Sequence, residues 1–218
     1  MKLKQNLDEV IYSQIIDSLI LHEYEMGQQI LPDTLAEKYG VSRTPVVQAV
    51  RLLANDGVLD MQKTGRIRVP VFTPEEIQQV LDIRLLLENY ALDELANKKS
   101  DEVYTQWCTR LHEIADTCSL YINANDILNF NRYDLKFHTH LVKGSENVFL
   151  ADLYKRIQGR FVVANYLSRS WTERVFSQAD KAHHKIVDAL EKKDMEESKR
   201  LLREHIQSVY SEAAGNDK

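Results

Sequence analysis

The sequence is poor in several features that mark other classes of protein. Its only cysteines, Cys108 and Cys118, lie ten residues apart in one predicted helix. Ten helical residues separate them by about 15 Å, which is too far for a disulfide, so we expect reduced thiols. No apolar run approaches the roughly 18 residues that a membrane helix needs, and the N-terminus lacks the apolar core of a signal peptide. These absences predict a cytoplasmic protein without membrane partners.

Positive charge is also scarce over the whole chain. The net charge is −5 and 44% of the residues are apolar, which indicates a soluble globular protein. Residues 38–68 differ, because they hold six Lys or Arg residues against two acids, Asp56 and Asp60. Distant charges are screened within about 8–10 Å at physiological salt, so this local excess governs any contact with phosphate.

The segment 34–59 reads as two short helices around a tight turn. Gly40 is the turn residue, Ser42 is placed to cap the second helix, and Pro45 falls in the first turn of that helix. One face of the second helix is apolar, through Val46, Ala49, Val50 and Leu53. Its remaining long polar side chains are suited to reading a DNA major groove.

Residues 58–71 alternate apolar and polar side chains around a turn at Lys63, Thr64 and Gly65. This pattern predicts a β-hairpin, or wing, that carries Lys63, Arg66 and Arg68 beside the second helix. Solvated surface charge is the alternative interpretation of these basic residues. The predicted DNA-binding residues are Ser42, Arg43, Thr44, Gln48, Arg51, Lys63 and Arg66.

The remaining chain is predicted to be helical. A first helix is expected over residues 5–25, ended by Gly27. The sequence VPVFTP contains two prolines and predicts a stiff linker. We therefore expect a DNA-binding domain at 1–70, a linker at 71–73 and a helical domain at 74–218.

From Pro74 onward the pattern contains no strand. Plausible helix starts are Asp126, Ser145 or Glu146, and Asp194, and Gly144 is a plausible stop. Short connections between the helices predict an antiparallel bundle. The predicted fold class is therefore mainly α, with an N-terminal winged helix-turn-helix followed by a bundle of six helices, and a bundle of seven is the alternative. The predicted helices span about 74–97, 101–124, 126–143, 146–168, 174–192 and 194–213.

Four polar residues interrupt apolar stripes of the predicted bundle. Asp134 and His138 are four apart and share one helix face. His183 and His205 are each eleven residues from a turn near Asp194, so an antiparallel hairpin brings them level. Buried polar groups are costly unless satisfied, and a metal would satisfy all four. Imidazole with carboxylate suits Zn²⁺, with Ni²⁺ or Mn²⁺ as alternatives. Hydrogen-bonded core histidines are the competing interpretation.

Other candidates carry less information. His22, His112, His140 and His184 are expected to be surface or structural residues. Arg84 and Glu88 lie on an inward stripe, where Glu88 is expected to order the fold through a buried ion pair and Arg84 either joins that pair or binds an effector carboxylate. Arg160 and Asn165 are predicted to line the effector pocket.

Two segments resemble known families. The run GQQI at 27–30, LA at 35–36, GVSRTPV at 40–46 and DG at 56–57 resembles the winged helix-turn-helix of GntR regulators. Arg43 and Arg51 match two basic positions of that family, whereas Val47 stands where the family has an arginine. This difference affects the expected operator sequence and affinity.

The second resemblance is to the all-helical FCD-type ligand domain in the FadR branch of the same family. It is carried by DLKFH at 134–138, by AHHKIVDAL at 182–190, by REHI at 203–206 and by RLLLE at 84–88. Ala182 departs from the glutamate that is usual there. The resemblance implies that Asp134, His138, His183 and His205 bind a metal whose coordination a carboxylate effector completes. Six helices rather than seven imply the smaller-domain subgroup.

Together these features predict a homodimeric, ligand-responsive transcription factor rather than an enzyme. We expect a repressor of a catabolic operon that reads a palindromic operator, because a twofold dimer requires a twofold site. The resemblance implies a small carboxylate effector from sugar-acid, hydroxy-acid or amino-acid catabolism. A metal-dependent hydrolase and a metal sensor using the same four residues are the alternatives.

Overall fold

The structure, a computed structural model, describes the backbone of residues 6–98, 100–167 and 173–213. The chain groups into two compact units. The first unit comprises Met1–Thr73 with Arg156–Ser168, and the second comprises Pro74–Lys155 with Arg169–Lys218. None of the helices within the described ranges combines the length and apolar character needed to cross a bilayer.

The first unit contains three helices and a small antiparallel sheet within its N-terminal segment. The elements are α1 (Leu7–Ile20), β1 (Gln29–Ile30), α2 (Pro32–Tyr39), α3 (Arg43–Asn55), β2 (Asp60–Met61) and β3 (Ile67–Arg68). The strand order is β1-β3-β2, and Arg68 of β3 lies opposite both Gln29 of β1 and Asp60 of β2. The sequence pattern predicted the β2–β3 hairpin but missed β1, because two residues are too short to show alternation.

An apolar core holds these elements together. The predicted apolar face of α3 is fully buried, and it packs with residues of α1 and of the sheet. Gly40 ends α2 with a left-handed φ of 64°, as predicted. Ser42 occupies the N-cap position of α3, although its side chain makes no capping hydrogen bond. The buried cluster includes Ile11, Ile15, Leu19, Val46, Ala49, Val50, Leu53, Val58 and Val69.

The predicted end of the first helix was wrong. Helix α1 ends at Ile20 rather than near residue 25. His22 takes a left-handed φ of 55°, which a right-handed helix cannot continue through. Gly27, with a φ of 79°, lies in the following turn and donates its backbone N–H to the carbonyl oxygen of Val69 at 3.0 Å.

Six helices follow Pro74 in the described residues, so the predicted all-helical architecture is confirmed. The six are α4 (Pro74–Lys98), α5 (Asp101–Asn123), α6 (Ile127–Lys143), α7 (Val148–Leu167), α8 (Glu173–Glu191) and α9 (Met195–Ala213). Helix α5 packs against α6 and α8, whereas α9 packs against α4 and α8. Helix α7 begins in the second unit, and its residues from Arg156 onward group with the first.

Two predicted boundaries of α6 coincide with capping residues. Asp126 accepts a hydrogen bond from the Asn129 N–H at 3.0 Å, and Gly144 is the C-cap of α6. The predicted start of α7 at Ser145 or Glu146 was wrong, because Asn147 is the capping residue. Its Oδ1 accepts from the backbone N–H groups of Phe149 and Leu150. Both cysteines are buried in α5.

Candidate functional site

Three helices of the second unit bring the four predicted ligand residues together. Asp134 and His138 project from one face of α6, His183 from α8 and His205 from α9. One ligand atom from each lies within 4.8 Å of those of the other three, and we call this group the inner cluster. The α8–α9 turn places His183 level with His205, with ring centroids 4.7 Å apart. The hairpin argument from sequence therefore gave the correct pairing.

The Oδ1 atom of Asp134 is the common neighbour of the three imidazoles. The Nε2 atoms of His183, His138 and His205 lie 3.2, 3.8 and 4.0 Å from it. The Nε2 atoms of His138 and His205 lie 3.1 Å apart. Four donor atoms thus face one small volume, and a metal bound there at about 2.0–2.2 Å would require only small side-chain movements.

A second layer of polar groups orients His138. Glu88 Oε2 lies 2.7 Å from His138 Nδ1, while Glu88 Oε1 accepts from Tyr154 Oη at 2.6 Å and from Arg84 Nε at 2.9 Å. A carboxylate at Nδ1 holds the proton there, which leaves the Nε2 lone pair directed at the inner cluster. Glu88 therefore forms the expected ion pair and also positions a candidate ligand.

The electrostatics favour the protonation states that metal ligation needs. Burial disfavours a charged Glu88, but His138, Arg84 and the Tyr154 hydroxyl together lower the pKa of Glu88 to about 2. Burial likewise opposes ionisation of Asp134, yet its imidazole neighbours and Arg84 hold the pKa of Asp134 well below its ordinary value. Burial and the neighbouring imidazoles lower the pKa of His205 well below the usual 6.5. An anionic carboxylate beside neutral imidazoles is the form that binds a metal.

His183 provides the most direct test of whether a metal fits. Its side chain is 0% exposed and its Nε2 lies 3.2 Å from Asp134 Oδ1, but the geometry of that contact is not that of a hydrogen bond, and Nδ1 has no hydrogen-bond partner among the described residues. Phe137 stacks on its ring, with centroids 4.2 Å apart, and fixes its orientation. A buried imidazole without partners is costly, and a cation between Nε2 and Asp134 would remove that cost. The residues present therefore fit a divalent metal.

The predicted effector residues have different outcomes. Arg84 is buried in the second unit and bound to Glu88, as the ion-pair alternative for this residue requires. Arg160 is exposed and groups with the first unit, where a Cβ at Gly57 would lie 2.6 Å from its Nε. Six helical residues after Tyr154, Arg160 lies on a different face of α7, and its role at an effector site stays a prediction. The side chain of Asn165 lies outside the described residues.

Sequence reasoning missed two buried polar residues. The sequence did not single out Tyr154, whose hydroxyl donates a hydrogen bond to Glu88. Asn131 is 0% exposed, and its amide oxygen and nitrogen are both without hydrogen-bond partners in the described part of the chain. It lies three and seven residues before Asp134 and His138, which places all three on one face of α6. That i, i+3, i+7 spacing was the available signal.

The predicted DNA-binding residues form an exposed face of the first unit. Residues from α3 and from the hairpin turn are all solvent-accessible. Gly65 closes the turn with a φ of 78° and donates its N–H to the Gln62 carbonyl at 2.8 Å. The face comprises Ser42, Arg43, Thr44, Gln48, Arg51, Lys63 and Arg66.

Two details qualify the charge of this face. Arg43 Nε lies 3.0 Å from Asp33 Oδ1, in an exposed pair with α2 that sequence reasoning did not anticipate. Exposed pairs contribute little stability, so Arg43 can exchange Asp33 for a phosphate at small cost. Arg68 is half-buried and pairs with Asp60 across the hairpin at 3.6 Å, which makes it a structural residue of the wing.

Comparison with known proteins gives two family matches along the chain. The family described as bacterial regulatory proteins, gntR family, matches residues 7–69, and the FCD domain matches residues 79–208. An HTH-type transcriptional regulator of Bacillus subtilis is 25% identical over 94% of this chain and 93% of that protein. The gluconate operon transcriptional repressor of Bacillus licheniformis is 23% identical over 90% of this chain and 79% of that protein.

A solved structure has a similar fold. The E. coli protein McbR/YncC superposes with a TM-score of 0.78 over 98% of this chain and all of that chain, at 19% identity. The matched families consist of DNA-binding regulators rather than enzymes, and this removes the hydrolase alternative. The chain therefore belongs to the GntR family of bacterial transcriptional regulators, with an N-terminal DNA-binding domain followed by an FCD domain.

Proposed function

We propose that this regulator is a dimeric repressor of a catabolic operon, active in the cytoplasm, whose DNA affinity is set by a small carboxylate bound at a metal in the second unit. The related proteins include repressors of gluconate and D-xylose operons. The observation that supports the proposal most strongly is the inner cluster, with its four donor atoms and a buried His183 whose Nδ1 has no hydrogen-bond partner among the described residues.

The proposed metal is Zn²⁺, with Ni²⁺ or Mn²⁺ as alternatives, held by Asp134, His138, His183 and His205. One carboxylate and three imidazoles are a donor set that these ions accept. When bound, the ion would act as a Lewis acid that attracts the effector carboxylate. Glu88 would keep His138 in the tautomer that ligates, and second-layer partners of this kind alter metal affinity by about 10–100-fold.

The proposed effector is a small hydroxy-carboxylate such as gluconate. Arg84 carries positive charge beside Asp134 and Glu88, and Asn131 offers an amide donor and acceptor on the face of α6 that bears two of the proposed ligands. A hydroxyl group of the effector would satisfy the Asn131 amide.

Dimer formation is proposed through the outer face of α4. Ile83, Leu86 and Tyr90 are 47%, 63% and 43% exposed, and they form one stripe at a spacing of three and four residues. Covering such a stripe with its twofold copy is the common way for a homodimer to bury exposed apolar area. Leu86→Asp should produce a monomer in light scattering, whereas Glu102→Ala, at an exposed carboxylate of α5, should remain dimeric.

The effector would act by binding one conformation of the dimer more tightly than the other. Reciprocity then requires operator DNA to change effector affinity by the same factor that effector changes DNA affinity. A typical coupling of about 1–3 kcal/mol corresponds to roughly 5–150-fold. This reciprocity distinguishes an effector from a molecule that binds without regulatory consequence.

The experiment measures binding of the full-length protein to its own upstream DNA at several salt concentrations, with and without Zn²⁺ and with a library of hydroxy-carboxylates. We expect specific binding that weakens steeply with salt, and an effector response that Asp134→Asn abolishes while DNA binding persists. A response to metal alone would instead make the protein a metal sensor. Absence of sequence-specific DNA binding under every condition would contradict the proposal that the protein is a repressor of its own upstream region.

A further inference from the structure

A second group of histidines and carboxylates lies on the outside of the second unit, where α5 packs against α8. His112 and Asp116 are four residues apart on α5, and His184 projects from α8. One ligand atom from each lies within 4.8 Å of those of the other two, and we call this group the outer cluster. Both histidines were predicted from the sequence to be surface or structural residues.

The distances within the outer cluster lie on either side of the spacing of ligands around a metal, within a few tenths of an ångström. His184 Nε2 lies 3.1 Å from Asp116 Oδ1, and His112 Nε2 lies 3.9 Å from the same oxygen. Metal–donor bonds of about 2.0–2.2 Å place neighbouring donors in a tetrahedral site roughly 3.3–3.6 Å apart. The two imidazoles meet edge to face, with centroids 5.7 Å apart, so both can direct a nitrogen toward Asp116.

An additional carboxylate supports this interpretation independently. Glu191 Oε1 lies 3.5 Å from His112 Nδ1, on the side of the ring opposite the contact with Asp116. A carboxylate at one ring nitrogen favours the proton there and frees the other nitrogen for a metal, which is the usual second layer of a zinc-bound histidine. Glu88 and His138 show the same arrangement at the inner cluster.

We propose that His112, Asp116 and His184 form a second divalent metal site, suited to Zn²⁺, Cu²⁺ or Ni²⁺. Two imidazoles and one carboxylate supply three ligands, and water fills the open positions because the site faces solvent. The side chains are 36%, 60% and 29% exposed, so the site exchanges metal with solution more readily than the buried inner cluster.

The location of the outer cluster gives it a consequence for α8. His184 follows His183 directly, and successive helical residues point about 100° apart. Helix α8 therefore carries a proposed inner ligand on its buried face and a proposed outer ligand beside α5. A metal at the outer site would tie α8 to α5 and restrain the helix that positions His183. Free metal in the cell would then influence the effector-binding unit without entering its core.

The test measures zinc bound to the full-length protein by equilibrium dialysis over a range of buffered free Zn²⁺, followed by elemental analysis. If both sites bind, the wild type should take up two equivalents per chain. His184→Gln and Asp116→Asn should each lose the weaker equivalent, and His205→Gln should reduce the tighter one. Glu191→Gln should keep the outer site but weaken it by about 10–100-fold.

The matched control is Asp188→Asn, because His112, Asp188 and Glu191 also approach one another closely. This variant should bind zinc as the wild type does. Loss of an equivalent in Asp188→Asn but not in Asp116→Asn would overturn the assignment in favour of that other group. Unchanged zinc binding in both His184→Gln and Asp116→Asn would show that the cluster is only an ion pair. If the wild type binds only one equivalent of zinc, and His184→Gln loses it while His205→Gln keeps it, the outer cluster is the metal site and the inner cluster is not.

Discussion

The cores of the two units differ in chemistry. In the first unit, Ser18 is the only buried polar side chain among the described residues, whereas the second unit buries several charged or polar groups, including Arg84, Glu88, Asp134 and His183. The residues of the first unit that are predicted to bind DNA are exposed instead, at α3 and at the β2–β3 hairpin. An apolar core is sufficient to hold a surface for DNA, while a ligand site needs polar atoms held away from water. In the first unit, a mutation should therefore change either the free energy of unfolding or DNA binding. In the second unit, mutation of a buried polar residue should change both stability and ligand binding.

The largest effect is expected from Glu88→Ala. This change leaves Arg84 buried without its carboxylate and His138 without its orienting partner. Removing one member of a buried ion pair typically costs about 3–5 kcal/mol of the free energy of unfolding. Urea unfolding should show that loss, and zinc content should fall with it. Glu102→Ala, at an exposed carboxylate on α5, is the control and should change stability by less than about 0.5 kcal/mol.

Leu53→Ala tests the apolar core of the first unit. Leu53 is 0% exposed, so truncation should destabilise that unit by about 2–5 kcal/mol. Operator affinity should fall at temperatures where the first unit begins to unfold, but zinc content should stay at the wild-type value. The neighbouring Leu52→Ala, which is 44% exposed in the wild type, should have little effect. Loss of metal in Leu53→Ala would show that the two cores are not energetically separate.

Arg51→Ala should weaken operator binding without affecting stability. The side chain is exposed on α3, and loss of one such contact should cost about 1–3 kcal/mol of binding free energy. A phosphate contact would also reduce the slope of log affinity against log salt by about 1, whereas a base contact would relax specificity at one position. Lys155→Ala, at an exposed lysine of the second unit, should bind the operator as the wild type does. Equal losses in both variants would indicate only a general charge effect.

The smallest effect concerns the start of α6. Asp126→Ala removes the cap that binds the Asn129 N–H and should cost about 1 kcal/mol. Ser100→Ala is the matched control, because Ser100 caps α5 without a side-chain hydrogen bond. Hydrogen bonds from Asn129 lower the pKa of Asp126 below its ordinary 3.8. The cap therefore stabilises above that value, and the difference between wild type and Asp126→Ala should disappear as pH falls through the lowered pKa.

Much of the fold could be predicted from local sequence because helical periodicity and capping residues are local properties. The buried stripe of α3, the left-handed Gly40 and the Asp126 cap all follow from a few neighbouring residues. The boundaries that failed depend on local backbone conformations for which no simple residue signal exists. His22 adopts a left-handed φ despite not being glycine, and Asn147 caps α7 where Ser145 and Glu146 were equally plausible.

The candidate site divides in the same way. The four members of the inner cluster were predicted because each interrupts an apolar stripe and because hairpin geometry pairs His183 with His205. Tyr154 and Asn131 were missed, since a tyrosine or an asparagine on a buried face does not reveal its partners. The effector role predicted for Arg160 stays a prediction, and the sequence of α7 does not show that its second half groups with the first unit.

The sequence by itself determined the family, the order of the helices and the residue types available for DNA and metal binding, since these depend on periodicity and spacing along the chain. Only the tertiary structure decided that Glu88 orients His138, that His183 lies 3.2 Å from Asp134 and that His112 and His184 share Asp116. Each of these facts joins residues from different helices. Such contacts depend on the rotation and depth of one helix against another, which side-chain packing fixes and which no local pattern encodes.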